Sequence, residues 1–192
     1  MAKANRDKQI QDKYSQYKVH LDTDKTINGE LRVITIKPNH KNFYAGESDV
    51  KAHVPFGNTS MECKIKSTDE YQYTITYKSD AIDKRLLTRL DAGAGTHRNK
   101  APGIPLELTS VPTPHYHEYR NDGYDIAYPI EGVNYSDESS TKFDYNQGFH
   151  YFCNKLHINN TSGEKATMTY TPEGVLPLNE DNTDPNENVE FP

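Results

Sequence analysis

The most restrictive feature of the sequence is a series of four strand-like segments between residues 50 and 92. They are VKAHVPF (50–56), SMECKIKS (60–67), EYQYTITYK (70–78) and KRLLTRLDA (84–92). The turns between them are short and contain Gly, Asn, Ser and Asp, which favours hairpin connections. The segments therefore predict an antiparallel meander.

The segment at 70–78 indicates which face of this sheet is buried, because side chains along a strand alternate between the two faces. One face carries Tyr71, Tyr73, Ile75 and Tyr77, and the other carries Gln72, Thr74 and Thr76. The chain has 14 tyrosines and no tryptophan, and a tyrosine ring can be buried while its hydroxyl stays hydrated. We therefore expect part of the core to reach the surface as a tyrosine-lined face.

One helix is predicted near the C-terminus, at 144–157. Its apolar residues recur at helical spacing and form a single stripe: Tyr145, Phe149, Phe152, Cys153 and Leu156. Burial of such side chains stabilises by roughly 1.5–3 kcal/mol each, as an upper range, and Gly148 weakens the helix slightly. The expected fold class is α+β, with the antiparallel sheet packed against this helix.

Further strands extend the predicted sheet. They lie at 30–37, 115–120 and 124–130, with weaker ones at 104–108 and 166–171. Loops are predicted at 38–49 and 93–114. The Asp-Gly pair at 122–123 indicates a hairpin turn between two of these strands.

The length of 192 residues suits one domain. Residues 1–28 are predicted to be a peripheral polar segment, with a polar helix over 1–18 followed by a loop. Residues 29–175 are expected to form the single α+β domain. Residues 180–192 carry five acidic side chains and no Lys or Arg, which predicts an acidic disordered tail at 176–192.

Composition excludes several classes of protein. The 22 Lys and Arg against 28 Asp and Glu give a net charge of −6, the opposite of what a protein that coats duplex DNA needs. Two cysteines make no disulfide framework. The sequence has neither the apolar region of a signal peptide nor 18 consecutive apolar residues, so we expect a soluble cytoplasmic protein with no membrane partner.

The segment TPHYHEYR at 113–120 presents two histidines on one face of a strand. Alternation places His115, His117 and Tyr119 on the same side, with the imidazoles about 6–7 Å apart at the backbone. Upstream, the glycine-rich loop GAGTHRN can fold back and bring His97 into the same pocket. The sequence therefore predicts one histidine-lined surface.

One interpretation of this surface is metal-free acid–base chemistry. Cleavage of RNA through its 2′-hydroxyl, or of a cyclic phosphodiester, requires a base, an acid and a cation for the phosphate. His97 with His117 or His115 would transfer the protons, because the pKa of histidine lies near neutrality. The catalytic candidates are His97, His115, His117 and Tyr119, of which the tyrosine would stack or orient the substrate. The substrate-binding candidates are Arg98, Asn99, Lys100 and Arg120.

A second interpretation is a metal site in which His97, His115 and His117 bind a divalent ion such as zinc, with water as the fourth ligand. The sequence lacks the Glu that a cupin-type site would place shortly after the second histidine, and no feature brings His150 near. The acid–base interpretation requires no cofactor and is preferred here, with zinc as the alternative.

A third interpretation is structural. Histidines on a tyrosine-rich strand are often half-buried and satisfied by a hydroxyl or a carbonyl. For Arg89 and Asp91, two residues apart on one strand, a strand-end ion pair is expected.

The runs LLTRLDAGAGTHRN, PHYHEYRNDGYDIAYP and FHYFCNKLHINN resemble a family of small uncharacterised bacterial and phage proteins. The shared pattern is a strand R-x-D, a nearby H-R-N, then P-H-x-H-x-Y, a Gly and A-Y/F-P, over about residues 84–160 of this chain. The family usually has a Pro-Asp-Gly loop after H-R-N, where this chain has KAPGIPLELTSVPT. The resemblance brings no activity with it. It implies one shared surface that contains His97, Arg98, Asn99, His115, His117 and Tyr119.

These observations predict a small histidine-dependent endoribonuclease or nucleotide phosphodiesterase that acts on RNA or a nucleotide. Such a protein would be toxin-like or an anti-defence protein of a phage or mobile element. The alternative is a non-enzymatic inhibitor that binds a nucleic-acid-handling protein, for example a CRISPR-Cas protein, through an acidic, tyrosine-rich surface.

Overall fold

The computed structural model describes residues 6–33, 42–82, 85–93 and 95–170. The helices are α1 (Lys8–Asp12), α2 (Tyr14–Leu21), α3 (Glu138–Thr141) and α4 (Tyr145–Lys155). The strands are β1 (Lys25–Ile27), β2 (Leu31–Val33), β3 (Phe43–Ala52), β4 (Thr59–Lys66), β5 (Asp69–Ser79), β6 (Arg85–Asp91), β7 (His97–Arg98), β8 (Ser110–Val111), β9 (His115–Tyr119), β10 (Asp125–Pro129), β11 (Ile158–Asn160) and β12 (Met168–Tyr170). The predicted α+β class is confirmed, with a large sheet and α4 as the main C-terminal helix.

Eight strands form one sheet in the order β10-β9-β6-β5-β4-β3-β1-β11, and β2 with β12 and β7 with β8 form two small pairs. Neighbours in the large sheet are antiparallel except β1 and β11, which are parallel. Strands β3 to β6 form the predicted meander. In β5, Tyr73, Ile75 and Tyr77 are buried, whereas Tyr71 at the start of the pattern is 39% exposed.

Helix α4 covers the apolar face of the sheet. Asp144 caps its first turn, because its carboxylate accepts from the backbone N–H of Gln147, whose side chain bonds back to Asp144. Four members of the predicted stripe are buried: Phe149, Phe152, Cys153 and Leu156. The predicted helix is therefore confirmed in position and in the face that it buries.

Gly148 has a packing role that the sequence did not indicate. A Cβ atom at this position would lie only 2.0 Å from the hydroxyl oxygen of Tyr73 on β5. The missing side chain therefore lets α4 approach the sheet over the tyrosine ring.

Residues 6–28 contribute several side chains to the core, which corrects the prediction that residues 1–28 are peripheral. Ile10 and Tyr17 are fully buried, and the Tyr17 hydroxyl donates to the carbonyl of Leu87 at 3.1 Å. Strand β1, expected to be loop, pairs with both β3 and β11. This segment packs on the core because its polar sequence contains an apolar stripe at helical spacing. The stripe consists of Ile10, Tyr14, Tyr17 and Leu21, at i, i+4, i+7 and i+11.

Lys25 joins the ends of two helices. It is 1% exposed, and its ammonium donates to the carbonyls of Leu21 at 2.8 Å, Thr23 at 2.6 Å and Leu156 at 2.8 Å. These carbonyls lie at or beyond the C-terminal ends of α2 and α4, where backbone acceptors have no helical partner. Burial lowers the pKa of Lys25 to about 8.

Other predicted boundaries were wrong. Strand β3 begins at residue 43, inside the predicted loop at 38–49, and the chain leaves the strand after residue 52 rather than at 56. The segment at 104–108 contains a short 3₁₀ turn instead of a strand. Residues 34–37 of one predicted strand and the tail at 176–192 lie outside the described residues. Among the helices of the described ranges, none is long and apolar enough to cross a membrane.

Candidate functional site

Three histidine rings from β7 and β9 lie close together. His97 lies on β7, and His115 and His117 lie on β9. The ring centroids are 4.7 Å apart for His97 and His117, 4.9 Å for His115 and His117, and 5.6 Å for His97 and His115. One nitrogen from each ring lies within 4.8 Å of the others. The structure therefore brings together the three histidines that the sequence placed in one pocket.

Asn99 fixes the segment that carries His97. Its Nδ2 donates to the carbonyls of Leu108 at 2.7 Å and Ala127 at 2.8 Å, and its Oδ1 accepts from the N–H of Ala127 at 2.9 Å. The side chain is buried, and both amide hydrogens are used. This corrects the expectation that Asn99 binds substrate, because its amide instead attaches the β7 segment to β10.

Two carboxylates and a guanidinium surround the histidines. The antiparallel register of β6 and β9 sets Arg89 opposite His117 and Asp91 opposite His115, and Asp125 comes from β10. Arg89 Nε lies 2.8 Å from Asp91 Oδ2, so the expected ion pair is present. The position of this pair beside the imidazoles was not foreseen.

Both ring nitrogens of His117 have charged neighbours. Nδ1 lies 3.1 Å from Asp125 Oδ2, and Nε2 lies 3.3 Å from Asp91 Oδ2 and 3.2 Å from Arg89 Nη2. Burial alone would lower the pKa of His117, but the hydrogen bonds and charges of the two carboxylates outweigh it and raise this pKa.

The same contacts act on Asp91 and His97. Burial would raise the pKa of Asp91, but His115, His117 and Arg89 stabilise the carboxylate and hold the pKa well below its usual range. Burial, followed by the positive charge of the neighbouring histidines and Arg89, lowers the pKa of His97 to about 4. Without any bound group, His97 is therefore neutral near pH 7.

His115 is oriented by a backbone carbonyl. Its Nδ1 lies 3.1 Å from the carbonyl oxygen of Pro112, which can only accept a hydrogen bond. In the neutral ring the proton therefore lies on Nδ1, and the lone pair lies on Nε2. That nitrogen is 3.7 Å from Asp91 Oδ2.

Access to the cluster is one-sided. His115 is 4% and His117 is 1% exposed, whereas His97 is half-buried. The side chains of Arg89 and Asp125 are 28% and 29% exposed. A substrate would therefore meet His97 first, with Arg89 and Asp125 at the margin.

The remaining predicted site residues lie elsewhere or face outward. Tyr119 packs on Tyr17, with ring centroids 6.0 Å apart. The Arg120 guanidinium is engaged by Asp122 and by the Pro102 carbonyl, so its assignment as a substrate-binding residue stays a prediction.

Arg98 and Lys100 flank the buried Asn99 and are both exposed. Across the described ranges neither takes part in an ion pair. They remain the cations that an anionic substrate could meet outside the cluster.

Sequence reasoning missed Arg89, Asp91 and Asp125 as members of the site. Arg89 and Asp91 are two residues apart on a strand, so they share a face, and Asp125 follows the hairpin turn. That alternation was the available signal. The pairing of β6 with β9 was needed to show that this face is also the face of the histidines.

Comparison with protein-family models, with curated proteins and with solved structures found no match to this chain.

Proposed function

We propose that the protein cleaves a phosphodiester bond in RNA or in a nucleotide at the cluster of His97, His115 and His117. The observation that carries the proposal is the convergence of three imidazoles within 4.8 Å, with a guanidinium and two carboxylates in contact with the same rings. Charged and titratable groups that converge in a partly buried place are characteristic of active sites.

The reaction needs three capabilities that these side chains offer. A neutral imidazole accepts the proton of the 2′-hydroxyl while the oxygen attacks phosphorus. The phosphorus–oxygen bond to the leaving group breaks, and a proton donor protonates the departing oxygen. Positive charge stabilises the phosphate as it gains charge in the transition state.

The positions of the residues suggest their order of contact with substrate. Of the three histidines in the cluster, His97 is the one that solvent reaches most easily, and the exposed Arg98 and Lys100 beside it can attract the phosphate backbone. His115 and His117 lie beneath it and are almost fully buried. We therefore expect His97 to be the imidazole that contacts the substrate directly.

The test is cleavage of a labelled RNA oligonucleotide and of 2′,3′-cyclic nucleotides by the full-length protein. We expect the His115→Ala/His117→Ala double variant to lose at least about 100-fold in rate, the scale of a lost acid–base group. His150→Ala is the matched control, because His150 is exposed on α4, and it should cleave at the wild-type rate. Wild-type protein without cleavage of any of these substrates would reject the proposal.

A non-enzymatic inhibitor is the second candidate, and a separate observation favours it. The carboxylates of Glu47, Asp49 and Asp80 are exposed and line a groove of about 550 Å³ on the sheet. An acidic groove can bind the basic surface of a nucleic-acid-handling protein. Co-elution with a CRISPR-Cas effector, abolished by Glu47→Lys/Asp49→Lys and retained by His115→Ala/His117→Ala, would support this candidate over the enzyme.

A further inference from the structure

We propose that Asp91, His115, His117 and His97 together bind one divalent transition-metal ion of the zinc class. The sequence suggested three histidines and water as ligands, with Asp91 assigned to an ion pair. The structure instead points to the carboxylate of Asp91 as the fourth protein ligand. Catalytic use of the ion rests on the proposed function, whereas binding of the ion does not.

The Asp91 carboxylate lies close to a nitrogen of each buried histidine. Asp91 Oδ2 lies 3.3 Å from His117 Nε2 and 3.7 Å from His115 Nε2. Ligands at 2.0–2.1 Å from a tetrahedral zinc ion are separated by about 3.3–3.5 Å. Both distances from the Asp91 oxygen therefore lie within a few tenths of an ångström of a tetrahedral edge.

The nitrogens on the far side of the two buried rings are held as in known metal sites. His117 Nδ1 is bonded to the Asp125 carboxylate at 3.1 Å, and His115 Nδ1 donates to the Pro112 carbonyl at 3.1 Å. Metal-binding histidines almost always donate their other N–H to a carboxylate or a backbone carbonyl, which fixes the ring and leaves the second nitrogen free to bind. Both rings thereby direct Nε2 toward Asp91.

His97 closes the site from the solvent side. One of its nitrogens lies within 4.8 Å of a nitrogen from each of the other two rings. It is half-buried on the two-residue strand β7, whereas the other two histidines are held in the sheet. An inward shift of this short strand can bring the His97 nitrogen to the edge length of about 3.3–3.5 Å that a tetrahedral site requires.

A metal ion would also fit the charges around the rings. Among the described residues in contact with the histidines, the carboxylates of Asp91 and Asp125 lie beside the guanidinium of Arg89, and an added cation would be attracted to both carboxylates. Arg89 Nη2 lies 3.2 Å from His117 Nε2 and 3.9 Å from Asp125 Oδ2. We expect this nitrogen to turn toward Asp125 when a metal binds, while Nε keeps its bond to Asp91.

Three imidazoles and one carboxylate suit zinc, and also iron, copper and nickel. With four protein ligands, a bound ion would have to expand to five-coordinate to accept a water molecule or a substrate oxygen, and it would then supply Lewis acidity and a lowered pKa for that water. These are the requirements of phosphodiester hydrolysis as well as of other hydrolytic reactions.

The experiment is metal titration of the full-length protein after removal of metal with EDTA and dialysis. We expect one zinc ion per chain in competition with a chromophoric chelator, and intense visible absorption with cobalt(II), which is the signature of a tetrahedral site. His115→Ala/His117→Ala and Asp91→Ala should each bind at least about 100-fold more weakly, and Asp125→Asn about 10–100-fold more weakly. His150→Ala should bind as the wild type.

Circular dichroism of the metal-free variants checks that each one is folded, and Asp125→Asn provides a milder change if the others are not. Wild-type protein that binds no zinc, or an Asp91→Ala variant with unchanged affinity and cobalt spectrum, would overturn the four-ligand site. RNA cleavage that persists in metal-free protein would overturn its catalytic use while the proposed function stands. Binding of one zinc ion per chain, without cleavage of RNA or of cyclic nucleotides, would reject the proposed function and leave the metal site standing.

Discussion

At the level of single residues, His20 is a buried histidine whose two ring nitrogens are both engaged inside the protein. Nδ1 bonds to the Val54 carbonyl at 2.9 Å and Nε2 to the Tyr77 hydroxyl at 2.8 Å. The ring is stacked on Tyr77 and Phe56. His20 is therefore the structural kind of histidine, in contrast to His97, which is half-buried and faces two other imidazoles.

His20 should make the stability of the protein depend on pH. Burial, as the main cause, lowers its pKa below 6.5, so the folded state binds fewer protons than the unfolded state between the two pKa values. The contribution to stability is fully present above pH 6.5 and is lost as pH falls through the folded pKa. The free energy of unfolding should fall between pH 7.5 and pH 5.0, as measured by denaturant unfolding. We expect this fall to be smaller in His20→Phe than in the wild type, by at most about 1.4 kcal/mol per pH unit.

His20→Phe also removes one hydrogen-bond partner of the Tyr77 hydroxyl, so the variant should be less stable at both pH values. The test is therefore the difference in the free energy of unfolding between pH 7.5 and pH 5.0. This difference should be the same in His150→Ala as in the wild type. An equal fall in the free energy of unfolding from pH 7.5 to pH 5.0 in His20→Phe and in the wild type would contradict the titration of His20.

Part of the site was predictable at this scale, and part was not. The two histidines of β9 follow from alternation within five residues of sequence. Arg89, Asp91 and Asp125 join them only through pairing between strands, which a local pattern does not encode. The roles of Asn99 and Arg120 also depend on partners in other elements, Ala127 on β10 and Pro102 in a loop.

At the level of elements, the contact between α4 and β5 depends on one missing side chain. Tyr73 is 1% exposed, and within the described part of the chain its hydroxyl has no hydrogen-bond partner. Besides the hydroxyl oxygen, two ring carbons of Tyr73 would lie 2.5 and 2.6 Å from a Cβ atom at Gly148. The ring itself, and not only the flexible end of a side chain, therefore excludes any residue larger than glycine.

Gly148→Ala should destabilise the protein despite the better helix propensity of alanine. Overpacking typically costs about 1–3 kcal/mol, and the gain in propensity returns about 0.5–1 kcal/mol. Urea unfolding should therefore show a net loss for Gly148→Ala. Asn154→Ala, an exposed position on the same helix, should change stability by less than about 0.5 kcal/mol. A Gly148→Ala variant as stable as wild type would mean that α4 moves away from β5 at little cost.

The elements that sequence reasoning missed have weak local patterns. Strand β3 contains the polar run Gly46-Glu47-Ser48-Asp49, which is typical of a loop. A Cβ atom at Gly46 would lie 2.1 Å from the Arg32 carbonyl oxygen, so this glycine permits close packing of β2 on β3. The role of Gly46 therefore depends on a neighbouring strand and cannot be read from its own segment. The apolar stripe of α4, in contrast, can be read from one continuous segment.

At the level of the whole molecule, the sheet is completed by residues from both ends of the described chain. Lys25 on β1 pairs with Ile158 on β11, and the ammonium of the same lysine bonds to the Leu156 carbonyl. Contacts of such sequence separation carry a high entropic cost in folding, because they require closure of a long loop. This is also why the order of strands beyond the meander could not be read from local patterns.

The side chain of Asn99 also affects how separate copies of the protein meet. Among the described strands, β10 is the last at its side of the sheet, and the Asn99 amide occupies both the N–H and the carbonyl of Ala127, as a neighbouring strand would. Unpaired sheet edges promote aggregation. Asn99→Ala should therefore self-associate at concentrations where Lys100→Ala stays monomeric, and light scattering would detect it. Equal scattering by the two variants would contradict this. One carboxamide thus protects colloidal solubility by blocking the place where a second molecule could add its own strand.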